Sequence, residues 1–260
     1  MASHPRKTVS EPVWTIKEAD NYFAGSGILN QTVKSISARL DELKIPYVIV
    51  GGMALFQHGF RRLTTDVDIL VRKEDLAKLH EKLEGRGYLP KFAGSKNLRD
   101  TQTGVTIEFL VSGEYPGDGK VKPVAFPDPK DVGVVIQGIR YLSLPKLIEL
   151  KLSSGMTSPD RLKDIADVQQ LIKAVELAKE YRDQLDPFVQ DEFDRLWQIE
   201  NRPRKFARLW RQPDPEELKV ILAAGVELDS GTVDEGYVRL VTHDPELATR
   251  FDMHEESEFL

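Results

Sequence analysis

The chain has no cysteine in 260 residues, which excludes a disulfide framework, thiolate catalysis and any Cys-ligated zinc or iron–sulfur centre, and fits a reducing compartment. It also lacks a long hydrophobic run. The longest uninterrupted stretch of apolar residues and glycine, Tyr47 to Phe56, is half a membrane span. The first twenty residues are polar, without the apolar core of a signal peptide. Together these absences predict a cytoplasmic protein with no membrane partner. The five histidines, at 4, 58, 80, 243 and 254, show no zinc-ligand spacing, and no serine sits in a Gly-x-Ser-x-Gly elbow. Gly25-Ser26-Gly27 lacks the third glycine of a dinucleotide fingerprint, and Gly117-Asp118-Gly119-Lys120 lacks the phosphate-loop spacing and its Ser or Thr.

What is present is an ordinary globular composition, 40% hydrophobic and 30% charged, with net charge −6. The charge is unevenly placed. Residues 1–212 hold 33 Lys and Arg against 29 Asp and Glu, whereas residues 213–260 hold 3 against 13. A mildly basic body can meet a polyanion; an acidic end can shield it, bind a basic partner or simply be solvated.

Residues 1–29 show no sustained period and read as an irregular arm. From Asn30, a candidate N-cap, Val33, Ile36, Leu40 and Leu43 recur at helical spacing as far as Ile45-Pro46. Tyr47 to Val50 reads as a strand ended by Gly51-Gly52, followed by a short helix from Met53 to His58. Asp66 to Val71 is a second strand and Glu74 to Glu84 a helix. Val105, Ile107, Phe109 and Val111 alternate with Thr106, Glu108 and Leu110, the period-two pattern of a third strand. Residues 112–130 read as loop and 134–142 as one or two strands. Helices are expected from Ser143 to about Leu152, Asp160 to about Lys179, Asp186 to about Asn201, Pro203 to about Arg211, and Pro215 to Ala224. The order predicts an α/β (α+β) protein: a small mixed-sheet core over 30–142, a helical region over 143–212 completing a cleft, and an acidic segment over 213–260.

The chemistry concentrates in the core. Aspartate is disfavoured in strands, yet Asp66 and Asp68 stand at i and i+2, where alternation points both from one face. At roughly 6 Å and an effective dielectric of ~20 their repulsion is about 3 kcal/mol, a large fraction of a domain's net stability. Either water solvates them at a polar edge strand, or a cation screens them. Magnesium suits the second case, being hard, oxygen-seeking and commonly shared with substrate phosphates. Glu108 supplies a third carboxylate, and glycines leaving a strand for a helix expose amides suited to phosphate.

In this order and type, Gly51-Gly52, Asp66-Val67-Asp68 and Ile107-Glu108-Phe109 resemble the nucleotidyltransferases related to DNA polymerase beta. The wording Arg62-x-Thr64-x-Asp66-x-Asp68, with Arg161-x-Lys163-Asp164-x-x-Asp167 downstream, is most similar to the AbiEii-type toxins of toxin–antitoxin systems and their bacterial relatives. The resemblance covers about residues 30–175, with a Gly-Gly to Asp spacing at the long end of the family range. It implies a nucleotidyltransferase core in which Asp66, Asp68 and Glu108 are catalytic and hold one or two Mg2+. Gly51, Gly52, Arg62, Lys151 and Asp164 would then bind a nucleoside triphosphate (NTP). The implied partners are that NTP, an RNA or protein acceptor hydroxyl and a cognate antitoxin.

Helical geometry independently marks two of these residues. Lys151 extends the apolar stripe of Leu144, Leu147 and Ile148, either facing inward or snorkelling at a helix end. Asp164 extends the Val168, Leu171, Val175 face, and also suits a first helical turn. Thr64 is expected to shape the turn before Asp66. His58, near the Gly-Gly helix, is either a nucleotide contact or structural. Around Asn201, Arg202, Arg204, Lys205, Arg208 and Arg211 interleave with Trp197, Phe206 and Trp210. On a helix Phe206 and Trp210 would share a face opposite Arg204, Arg208 and Arg211, as an ordinary amphipathic helix or a nucleic-acid platform. The rival readings are a non-catalytic nucleotide-binding or antitoxin-like protein that keeps the fold, and a nucleotidyltransferase acting on a small molecule such as an antibiotic.

Overall fold

In the computed structural model, which describes residues 16–202, 205–211, 214–229 and 237–255, the chain forms two units, one running to Glu200 and one from Asn201. The first opens with helices α1 (Ile16–Phe23) and α2 (Ile28–Glu42). Residues 16–29 of the expected irregular arm are therefore mostly helical, while residues 1–15 lie outside the described residues. Tertiary contacts supply what periodicity did not show. Tyr22 is fully buried against Phe56, and the Glu18 carboxylate accepts from the Ile28 amide at 2.6 Å. The helix N-cap is thus Gly27 rather than Asn30, which sits buried inside α2. Leu29, Val33, Ile36 and Leu40 face the core at helical spacing.

Next come β1 (Tyr47–Ile49), α3 (Gly51–Gln57), β2 (Asp66–Val71) and α4 (Lys73–Leu83). An edge hairpin of β3 (Tyr88–Pro90) and β4 (Leu98–Asp100) follows, its strands too short for a period to register in the sequence. Then come β5 (Thr106–Val111) and the hairpin β6 (Gly133–Ile136) with β7 (Ile139–Leu142). That hairpin turns through Gln137 and Gly138, both at positive φ, as a tight two-residue connection requires. The seven strands form one mixed sheet in the order β3-β4-β5-β2-β1-β7-β6. β2 is antiparallel to β1 and parallel to β5, with Asp66 opposite Thr106 and Asp68 opposite Glu108. Val67, Ile69 and Val71 of β2, with Ile107, Phe109 and Val111 of β5, are buried, which leaves the acidic residues on the other face.

Three helices complete this unit: α5 (Leu144–Thr157), α6 (Leu162–Ala174) and α7 (Pro187–Glu200), with 3-10 turns at Pro159–Arg161 and Lys179–Gln184. The helix expected to run to about Lys179 stops earlier, where Glu176 takes a left-handed φ of 51°.

The second unit corrects the sequence reading. Among the described residues its elements are β8 (Phe206–Arg211), α8 (Pro215–Ala223), β9 (Glu227–Leu228), β10 (Tyr237–Thr242), α9 (Pro245–Arg250) and β11 (His254–Glu255). Its four strands form a sheet in the order β11-β8-β10-β9. The helix expected over Pro203–Arg211 is strand β8, paired along its whole length with β10, although Pro203 and Arg204 lie outside the described residues. A four-residue spacing of Phe206 and Trp210 satisfies both a 3.6-residue and a two-residue period, so distant pairing decides between them. Arg208 then shares a face with both aromatics, its guanidinium 4.6 Å from the Trp210 ring centroid. Phe206 and Trp210 pack on the core of Ile221, Val226, Leu240, Ala248 and Met253. The expected helix near Pro215 is present, capped by Asp214 through the amides of Glu216 and Glu217. No helix among the described residues is long and apolar enough to cross a membrane.

Candidate functional site

The three carboxylates arise from strand alternation on two parallel neighbours. Asp66 and Asp68 project from one face of β2, and Glu108 sits beside Asp68 on β5 in register. One oxygen from each of Asp66, Asp68 and Glu108 lies within 4.8 Å of the other two, and all three side chains are half-buried. Burial, followed by the like charges of Asp66 and Glu108, pushes the Asp68 carboxyl up to about 7. The cluster is therefore short of positive charge. Hard oxygen donors at this spacing fit a divalent cation such as magnesium.

The glycines have a steric reason to be here. Gly51 adopts φ +59°, and a Cβ on it would fall 1.9 Å from Asp68 Oδ2. A Cβ on Gly52 would come within 2.8 Å of the Thr64 side chain. Any side chain at Gly51 would displace the carboxylate, so this backbone can lie against β2 only without one. Thr64, as expected, shapes the approach to β2: its hydroxyl donates to Asp66 Oδ1 at 2.8 Å. The amide of Val50 donates to the Asp68 carbonyl at 2.9 Å, tying the start of α3 to the acidic strand.

Opposite the acidic strands, α5 and α6 contribute a charge network. Lys151 does not snorkel; it is 7% exposed and donates to Asp164 Oδ1 and Asp167 Oδ2, both at 2.7 Å. Ser154 donates to the other Asp164 oxygen at 2.8 Å. Arg62 reaches Asp167 in a bidentate pair, Nε to Oδ1 at 2.5 Å and Nη2 to Oδ2 at 2.7 Å. Burial pushes the Asp167 carboxyl up, but the Arg62 hydrogen bonds and the Lys151 charge outweigh it and hold it below its ordinary value.

These groups border one cleft of about 290 Å3, lined by Gly51, Gly52, Arg62, Asp66, Asp68, Glu108, Lys151 and Asp164. The eight residues that the resemblance implies as site residues therefore line one cleft. The same cleft is lined by Arg161 and Lys163, which stand in the motif that carries the resemblance without a site role of their own, and by Asp160, which the sequence marks only as a helix start. Asp167 stands in that motif too, and its position at i+3 from Asp164 on one helix is the available signal. His58 is a structural group, its Nε2 2.7 Å from the Leu142 carbonyl.

No protein-family model matches this chain, and no curated protein does. Among solved structures, ANT(2")-Ia in complex with adenylyl-2"-tobramycin aligns over 63% of this chain and 97% of its own, at 16% identity and a TM-score of 0.41. An antigenic nucleotidyltransferase-like protein from Paracoccidioides brasiliensis aligns over 62% and 87%, at 18% identity and a TM-score of 0.37. Both similarities are distant, and the α/β class rests on the sheet itself.

Proposed function

We propose that this protein is a magnesium-dependent nucleotidyltransferase that moves a nucleoside monophosphate from an NTP to an acceptor hydroxyl. The observation that carries the reading is the convergence of Asp66, Asp68 and Glu108 within 4.8 Å in a cleft that also holds Lys151, Arg62, Arg161 and Lys163. Asp66, Asp68 and Glu108 would hold one or two Mg2+. Bound there, the metal would activate the attacking oxygen and neutralise charge on the triphosphate and the leaving pyrophosphate.

The chain's own groups have separate tasks. Gly51 and Gly52 bring bare backbone to the cleft wall, so that phosphate can approach the amides. Lys151 offers the ammonium, held in place by Asp164 and Asp167, and Arg62 stiffens that arrangement through Asp167 rather than facing phosphate alone. Glu108 would accept the acceptor hydroxyl's proton. The acceptor in this reading is RNA or protein. The toxin role and a cognate antitoxin rest on the sequence resemblance.

The test is transfer of label from each alpha-labelled NTP to lysate macromolecules, with magnesium or EDTA, beside an Asp66→Ala, Asp68→Ala variant. Labelling by the wild type alone, and only with magnesium, is expected, and digestion by ribonuclease or protease identifies the acceptor. Magnesium-dependent nucleotide binding by folded protein with no labelled product, in lysate or with small hydroxylated antibiotics, would replace the enzyme with a binding protein.

A further inference from the structure

A second cavity, of about 350 Å3, opens at the far end of α3 from the carboxylates. At about 1.5 Å per residue the six steps from Gly51 to Gln57 separate the two by roughly 9 Å along the helix. The wall comes from the α1–α2 turn, α2, α3 and the β6–β7 hairpin, with Arg61 lining this cavity while the next residue, Arg62, lines the other. Among the described residues its lining holds two cations, Lys34 and Arg61, and no Asp or Glu. Neither cation is in an ion pair with a described residue; Arg61 instead sits 5.1 Å from the Phe56 ring centroid. Phe23, 37% exposed, stacks with Phe56 at 6.5 Å and an interplanar angle of 20°.

Asn30, Gln57 and Gln137 add three amide side chains to the same wall. A cavity of this size, with two cations, two phenyl rings and amides, has the makings of a small-molecule site.

We propose that this cavity binds a small phosphorylated molecule with a planar ring, of nucleoside monophosphate size, at a site separate from the carboxylate cleft. Lys34 and Arg61 take the phosphate, and the Phe23 and Phe56 rings border the planar group.

The probe is adenosine 5′-monophosphate, titrated by calorimetry into the full chain in EDTA. The expected result is one saturable site with a Kd below about 1 mM. Affinity is unchanged in the Asp66→Ala, Asp68→Ala variant and at least about tenfold weaker in a Lys34→Gln, Arg61→Gln variant. Both substituted cations are at the surface, and circular dichroism checks that the variant folds. Inorganic phosphate and adenosine, each alone, are expected to bind more weakly than the joined molecule. Absence of saturable binding would overturn the site, as would binding lost with the aspartates but kept without Lys34 and Arg61. Phosphate binding as tightly as the nucleotide would overturn the ring-bearing ligand. None of these outcomes depends on nucleotidyl transfer.

Discussion

Asp167 shows most directly how the cleft is held. It accepts from both Arg62 and Lys151 while 3% exposed, so one buried carboxylate joins two cations, Lys151 being shared with Asp164. Asp167→Ala is expected to cost about 3 kcal/mol, because removing one partner of a buried pair leaves charge behind. Urea unfolding monitored by circular dichroism measures this. Its pKa is held below the unfolded value, so the stabilisation is present above about pH 4 and is lost as pH falls through the folded value. Between about pH 6 and pH 3 the wild type should therefore lose more stability than Asp167→Asn, which has no proton to take up. Equal losses would show that other carboxylates govern acid unfolding. Gly51→Ala belongs to the same scale. Its Cβ would lie 1.9 Å from Asp68 Oδ2 at a positive φ, so it is expected to lower stability by about 1–3 kcal/mol and to abolish labelling together.

For α5 the decisive contest is between helix propensity and packing. Gly155 sits inside this helix, where Ala is favoured by about 1 kcal/mol on propensity alone. A Cβ there, however, would meet Ile165 of α6 at 2.5 Å. Overpacking of this kind costs about 1–3 kcal/mol, so Gly155→Ala is expected to destabilise, and to shift Lys151 away from Asp164 and Asp167. A rise in urea midpoint would mean that α6 yields easily. β8 teaches the complementary lesson. Phe206 and Trp210 fit a helix or a strand equally well, and only the six-residue register with β10, thirty positions away in the chain, selects the strand.

At the scale of the whole molecule, the described residues of the acidic C-terminal segment are folded and not a bare solvated tail, since Leu240, Ala248 and Met253 belong to a core. Deleting residues 226–260 would remove β10 from beside β8 together with those side chains. The expected result is loss of amide protection in β8 and α8, while the first unit, which has its own core and every residue of the carboxylate cleft, still unfolds cooperatively. Protection retained in β8 would show that pairing with β10 is dispensable. Shielding of a basic body is better tested by neutralising exposed acids such as Glu217, Glu227 and Glu246 than by truncation.

Local chemistry by itself determined which strand and helix faces carry the charged groups. Period-two alternation puts Asp66 and Asp68 on one face of a strand and Glu108 on one face of another, Gly51-Gly52 breaks the strand before a helix, and a 3.6-residue stripe lines Lys151 up with Leu144, Leu147 and Ile148. Each of these signals is complete within about seven residues, the range over which backbone geometry and side-chain direction are set by neighbours. Tertiary structure alone decided the rest: that Asp167 clasps Arg62 and Lys151, that Gly51 must lack a Cβ because Asp68 lies against it, that α1 forms around buried Tyr22, and that 206–211 is a strand. Those facts depend on residues separated by tens of positions, whose approach is governed by burial and pairing across the fold rather than by any local period.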